Sequence, residues 1–199
     1  MRRPFRSGAA PGQTGIYTRQ AFFHHASMLL GSSPDGTYQA VVVDIHNFKQ
    51  VNSIYGENVG DDIIQYLAGK LKRLVPEGLV AHYDGDSFVF LENVTAHTDA
   101  ELDKAIRGIA KAVPIRNLLL KCGVYCCENA SLPVSAICNR AFLALNSIKD
   151  DMNHAVARFD DPINQRICRE PEQAFLDYAA RWHESGDDCG LQIKRALRV

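Results

Sequence analysis

The sequence predicts an α/β sandwich: one central mixed sheet flanked by helices. Three observations carry this. The run from Tyr38 to Ile45 is almost continuously apolar, as a central strand covered on both faces should be. Val80 to Leu91 holds two short strand-prone runs hinged on Asp84-Gly85, a tight-hairpin pattern, because Gly readily accepts the positive φ that such turns demand. Apolar residues also recur at helical spacing, at Ile63, Ile64, Leu67, Leu71 and Leu74 and again at Ile137, Ala141, Leu145 and Ile148. Helix and strand periods alternating along one chain describe helices packed on one sheet.

Taken in order, residues 1–13 hold Pro4, Gly8, Pro11 and Gly12 with little apolar content and read as a flexible lead-in. A domain is expected over 14–161. Its first helix starts at Thr18 and runs to about Leu30, with Ala21, Phe22, Ala26, Met28 and Leu29 on its apolar face. His24 and His25 are adjacent on that helix and point about 100° apart, which argues against a shared metal site. Gly31 to Gly36 is a turn into the first strand, Tyr38 to Ile45. A helical turn from about Asn47 to Ile54 follows, and a longer helix opens near Gly60, placing Asp61 and Asp62 at its positive end. Pro76-Glu77-Gly78 leads into the hairpin, whose second strand ends near Glu92. Next come a helix over about 98–112, a break at Pro114, a strand over 117–127, a helix over 133–149 and a short strand over 155–159. Phe175, Tyr178, Ala179 and Trp182 follow the i, i+3, i+4, i+7 rule, so an amphipathic helix is expected over 171–184 in a C-terminal extension, 162–199.

At 199 residues and 46% hydrophobic content, the chain suits one core plus an extension. The 22 basic residues are balanced by 23 acidic ones, so no broad nucleic-acid-binding face is expected and any phosphate site must be local. No run approaches the ~20 apolar residues of a membrane span, and the start lacks a signal-peptide core, so the expected location is cytoplasmic. Of the six cysteines, Cys122, Cys126, Cys127 and Cys138 fall in or near core elements without Cys-x-x-Cys spacing, and reduced thiols are expected.

The chemistry lies at two segments. Val41-Val42-Val43-Asp44-Ile45-His46-Asn47-Phe48-Lys49-Gln50-Val51-Asn52 ends a buried strand on a carboxylate, and the hairpin tip carries Asp86. Two carboxylates side by side suit Mg²⁺ bound to a nucleotide triphosphate. With Gly60-Asp61 between them, these segments resemble the GGDEF domain of diguanylate cyclases, the signature altered to Asp84-Gly85-Asp86-Ser87-Phe88. The likeness covers about 14–160 and implies a palm-like sheet shared with nucleotide cyclases. It also implies that GTP is the ligand, that Mg²⁺ or Mn²⁺ accompanies it, and that a homodimer joins two GTP molecules into cyclic di-GMP. Asp44 and Asp86 match the metal-binding carboxylates. Asn52 and Asp61 match the pair that reads guanine, where a carboxylate accepts from N1-H and N2-H and an amide serves the remaining edge. Lys149 matches a phosphate-binding Lys in the last helix, and Asp84 and Gly85 stand where backbone passes the phosphates.

Several positions depart from that pattern. Asp84 replaces a Gly, and a carboxylate roughly 4 Å from a phosphate repels it by about 4 kcal/mol per unit charge at an effective dielectric near 20 unless it turns to solvent or meets metal. Ser87 replaces the Glu that assists metal binding or proton removal, so the catalytic pair Asp86 and Ser87 is degenerate. Asn153 replaces a phosphate-binding Arg, a loss of about 1.5 to 3 kcal/mol for one charged hydrogen bond. His46 replaces a second Asp, and Val75 and Gly78 stand where an Arg-x-x-Asp product-inhibition site would be. The favoured reading is a GTP-binding regulatory module in cyclic di-GMP signalling with little or no cyclase activity. A slow diguanylate cyclase and a nucleotide-free dimerisation or docking module are the alternatives. A phosphodiesterase (EAL) or sensor domain outside this chain is an expected partner.

Overall fold

The computed structural model describes residues 15–129 and 131–159; the expected lead-in and the helix over 171–184 lie outside them. Its sheet is mixed and six-stranded, in the order β1-β3-β4-β2-β5-β6. These strands are β1 (Tyr17–Thr18), β2 (Tyr38–Ile45), β3 (Leu79–Asp84), β4 (Ser87–Asn93), β5 (Leu120–Cys126) and β6 (Val156–Arg158). The helices are α1 (Arg19–Gly31), α2 (Phe48–Tyr55), α3 (Glu57–Leu74), α4 (Asp99–Lys111) and α5 (Val134–Ser147). β2 is central, antiparallel to β4 on one side and β5 on the other, whereas β1 and β6 pair in parallel at the edges.

Strand alternation sorts the two faces. Val41, Val43 and Ile45 of β2 join Phe88 and Phe90 of β4 in a core with Ile63, Leu67 and Leu71 of α3 and Leu102 and Ile106 of α4. Asp44, between Val43 and Ile45, therefore faces the other side, where α5 lies on β2 and β5. That helix sits close because Gly123 of β5 has no side chain: a Cβ there would stand 1.9 Å from the Ala141 carbonyl oxygen. The fold thus holds the C-terminal end of α5 over the end of β2, where the site is.

Several boundaries differ from expectation. β1 is an additional two-residue strand between Gly15 and α1, too short for any periodicity to announce. Met28 is 54% exposed and stands off the buried face made by Phe22, Ala26 and Leu30. α3 opens at Glu57, not near Gly60, so Glu57 occupies the first turn and Asp61 and Asp62 lie beyond the end charge. β5 begins at Leu120, not at 117, because Asn117 turns into the left-handed region with φ 59° and bends the chain before pairing begins. α5 ends at Ser147, so Lys149 stands in the turn after the last helix and not within it. The hairpin's central pair is Gly85-Asp86, since Asp84 pairs with Ser87; Gly85 alone takes positive φ, at 49°. His24 and His25 lie edge to face with ring centroids 5.4 Å apart, and His25 packs on Tyr17.

Cys122, Cys127 and Cys138 are buried free thiols. Burial pushes the thiols of Cys127 and Cys138 up to about 12 and that of Cys122 higher still, so these three are unreactive packing residues.

α4 starts with a reciprocal cap: the Thr98 hydroxyl accepts from the Glu101 amide at 3.3 Å, and the Thr98 amide donates to the Glu101 carboxylate at 2.8 Å. The hydrogen bonds from Thr98 hold the Glu101 carboxyl below its ordinary value. A depressed carboxylate contributes stability above its unfolded value and loses it as pH falls through the folded one. Thr98→Ala is expected to destabilise the domain by about 1 kcal/mol in urea unfolding at neutral pH. The difference from wild type should shrink as the acid limb is entered.

Candidate functional site

The site is built on a row across the three central strands. Asp44 lies opposite Ser87 of β4 and opposite Lys121 of β5, so the three side chains share one face. Asp44 is 7% exposed. Its Oδ1 accepts a 2.8 Å hydrogen bond from the Ser87 hydroxyl, and its Oδ2 lies 3.8 Å from Lys149 Nζ. Burial raises the Asp44 carboxyl above the ordinary range; the Ser87 bond opposes this, and the neighbouring charge of Asp86 adds to it. Asp86, the residue before Ser87, is half-buried at the hairpin tip. Asp84 is exposed at the end of β3, the orientation in which its repulsion of a phosphate is least.

The pair expected to read a base sits on α2 and α3. Asn47 in left-handed conformation, φ 57°, turns the chain sharply from β2 into α2 and so places Asn52 beside α3. There the Asn52 amide lies against Gly60, where a Cβ would come within 2.0 Å of Asn52 Oδ1. Asn52 Oδ1 is buried and has no hydrogen-bond partner among the described residues. A buried amide oxygen left unbonded costs about 1 to 3 kcal/mol, which a donor on a ligand edge would recover. Asp61, the next residue after Gly60, is exposed. His46 Nδ1 is likewise buried without a partner, while Nε2 contacts the Asn47 side-chain amide at 2.8 Å.

The donor set fits a metal of limited kind. No group of three or more His, Cys, Asp or Glu among the described residues could hold an ion by itself. Two carboxylates do suit Mg²⁺, which keeps waters and completes its shell with substrate phosphates. The carboxylate chemistry of Asp44 and Asp86 therefore fits Mg²⁺ where other ligands complete its shell.

Lys121 was not legible as a site residue, although a lysine inside the apolar run Leu118-Leu119-Leu120-Lys121-Cys122 is the signal. It is 2% exposed. Burial holds its ammonium below the ordinary lysine value. Its Nζ does not bond Asp44; it donates to the backbone carbonyls of Asp151 and, at 2.6 Å, His154, in the turn that carries Lys149. Asn153 contributes its carbonyl to Arg107.

The mixed six-stranded sheet flanked by helices is a GGDEF-like α/β sandwich. The chain belongs to the GGDEF family: the family described as "Diguanylate cyclase, GGDEF domain" matches over residues 12–155. Among solved structures, the fold is similar to the GGDEF domain of DgcB from Caulobacter crescentus in complex with c-di-GMP. The TM-score is 0.67 at 20% identity, over 81% of this chain and 99% of that one. It is also similar to the active GGEEF domain of a diguanylate cyclase from Vibrio cholerae, with TM-score 0.55 at 18% identity, over 73% of this chain and 98% of that one. In sequence it is 30% identical over 96 residues to the probable diguanylate cyclase DgcT of Escherichia coli strain K12, covering 47% of this chain and 21% of that protein. To the signaling protein YkoW of Bacillus subtilis it is 29% identical over 111 residues, covering 52% of this chain and 14% of that protein. The chain therefore spans a small part of these relatives' length. No helix among the described residues is long and apolar enough to cross a membrane.

Proposed function

We propose that this chain is a guanine-nucleotide-binding regulatory GGDEF domain with little or no cyclase turnover. The observation that carries the reading is the Asp44–Ser87 hydrogen bond. At the position facing the buried metal carboxylate, this chain has a neutral hydroxyl that donates a proton, where an active site needs a second carboxylate to hold metal or to accept one. The unbonded Asn52 Oδ1 against Gly60, the residue before Asp61, supports retention of guanine recognition. Bound with the nucleotide, Mg²⁺ or Mn²⁺ would supply charge neutralisation at the phosphates; Asp44 and Asp86 would hold it and Lys149 would meet a phosphate oxygen. Residues 14–161 are proposed as the nucleotide-binding unit and 162–199 as a helical extension toward a partner such as a sensor or EAL domain. A homodimer is the expected assembly.

Calorimetric titration with GTP, and with ATP as control, in Mg²⁺ tests this, with chromatography of the same sample for cyclic di-GMP. Guanine-selective binding without product is the expected result. Asp61→Ala should weaken GTP on the order of a hundredfold, two charged hydrogen bonds at roughly 1.5 kcal/mol each. Accumulating cyclic di-GMP would make the domain a cyclase. No binding at all would leave a docking module.

A further inference from the structure

We infer that Lys121 is a positioning residue: buried in the sheet, it clamps the turn after α5 and so sets Lys149 over Asp44. The inference rests on the nucleotide-binding reading for its functional consequence, but its structural half stands alone. Residues 148–155 connect α5 to β6, and three of their carbonyls point at cations. Lys121 takes those of Asp151 and His154, and Arg107 of α4, itself held by Asp103 at 2.8 Å, takes that of Asn153. Within the turn, the Asp151 carboxylate accepts from the Asn153 amide at 2.8 Å and contacts His154 Nδ1 at 2.5 Å, and the Asp151 amide donates to Ile148 at 3.1 Å. The Ala155 carbonyl then accepts from the Cys122 amide at 2.7 Å, one residue from Lys121 itself.

The consequence is geometric. Lys149 is half-exposed, its amide reaches Asn146 at 3.3 Å, and its side chain lies 3.8 Å from Asp44 Oδ2. Its backbone is tied to the end of α5 by that one amide bond to Asn146, and past Ser147 the path of the chain is set by the turn. The other end of the turn is held from the sheet, and its buried anchor is Lys121. Lys121 is opposite Asp44 in the strand register, where a lysine would ordinarily pair with the carboxylate directly. Spending its donors on backbone carbonyls leaves Asp44 to a half-exposed lysine, which can turn from carboxylate to phosphate as a ligand enters. A direct, buried Lys121–Asp44 pair would neutralise Asp44 permanently.

Lys121→Met keeps the stem and removes the donors. Amides of 149–154 should exchange about tenfold faster than in wild type while β2 and β4 amides keep their protection. GTP binding in Mg²⁺ should weaken about tenfold, one charged hydrogen bond's worth, and guanosine binding should not change. Combined with Lys149→Ala, Lys121→Met should weaken GTP no further than Lys149→Ala alone, because both act through one ammonium. Unchanged exchange over 149–154, or losses that add in the double variant, would overturn the assignment. A wild type that binds no guanine nucleotide would sink the reading above, while the exchange comparison would still decide this one. Should Lys121→Met fail to fold, Arg107→Gln, which removes the clamp on Asn153 together with the exposed Asp103 pair, must show faster exchange over 149–154 or the inference fails.

Discussion

Gly123→Ala is expected to destabilise the domain by about 3 kcal/mol, at the upper end of what overpacking costs. The added Cβ would stand 1.9 Å from the Ala141 carbonyl oxygen, 2.6 Å from the Leu145 amide nitrogen and 2.9 Å from Leu145 Cβ. Two of those three atoms are backbone of α5, and no rotamer change moves them. The helix must lift from the sheet, pulling Ile137, Ala141 and Leu145 out of their packing against β2 and β5. For a protein of this size about 3 kcal/mol lowers the melting temperature by roughly 6 to 12 °C. Gly108→Ala is the matched control: it lies inside α4 with nothing within 4 Å of its Cβ, and replacing a mid-helix glycine there should add up to about 1 kcal/mol. Thermal unfolding of the two variants beside wild type checks both signs. A Gly123→Ala protein as stable as wild type would mean that α5 does not seat on β5 this closely.

What the sequence made legible follows from how local each signal is. β2, read from its apolar run, has the expected ends, because a run of branched apolar residues is complete within a few positions, and α4 begins within a residue of the expected start. α3 was read late because its first turn, Glu57-Asn58-Val59, carries little apolar pattern; tertiary contact with α2, through Gly60 against Asn52, fixes that turn instead. Asn117 shortened β5 by adopting a backbone conformation that asparagine tolerates and no periodicity predicts. The candidate site divides along the same line. Asp44 and Asp86 stood out because one lies at the end of an apolar strand and the other at a hairpin tip, whereas Asn52 and Asp61, inside α2 and α3, came only from the resemblance to the GGDEF family. Lys121 did not stand out, since its meaning lies in a turn 30 residues away along the chain.

That division bears on how the site works. The residues found by motif would touch a nucleotide, whereas Lys121, Arg107, Gly60 and Gly123 place those residues and touch only protein. Gly60 lets α2 approach α3, Gly123 lets α5 approach β5, and the two cations seat the turn after α5. Contact residues can be exchanged while such supports stay, which is the condition under which a domain loses chemistry and keeps its shape.

The Ser87→Glu variant should expose that condition most directly. In metal-free buffer near pH 7.5 it is expected to lose about 2 to 3 kcal/mol of stability. The substitution removes the hydroxyl that donates to Asp44 Oδ1 at 2.8 Å and puts a second carboxylate on the same face, opposite Asp44 and near Asp86. Position 87 is 9% exposed, and the Asp44 carboxyl is already raised by burial, so neither group can shed its charge into water. Lys149, at 3.8 Å, is the cation nearest to Asp44 among the recorded ion pairs. Two carboxylates so placed bind a proton more tightly folded than unfolded, so stability should rise as pH is lowered through their raised folded values and fall again as pH climbs back. Millimolar Mg²⁺ should restore much of the loss at pH 7.5, because the new pair is a better cation site than a carboxylate facing a hydroxyl, and a ligand that binds only the folded state stabilises it. Urea unfolding of wild type and variant, each with Mg²⁺ and with chelator, reads all three expectations. Wild type should respond little to Mg²⁺ alone. A variant that is indifferent to metal and as stable as wild type would mean that position 87 does not face Asp44, and the proposal of little or no cyclase turnover would lose the observation that carries it.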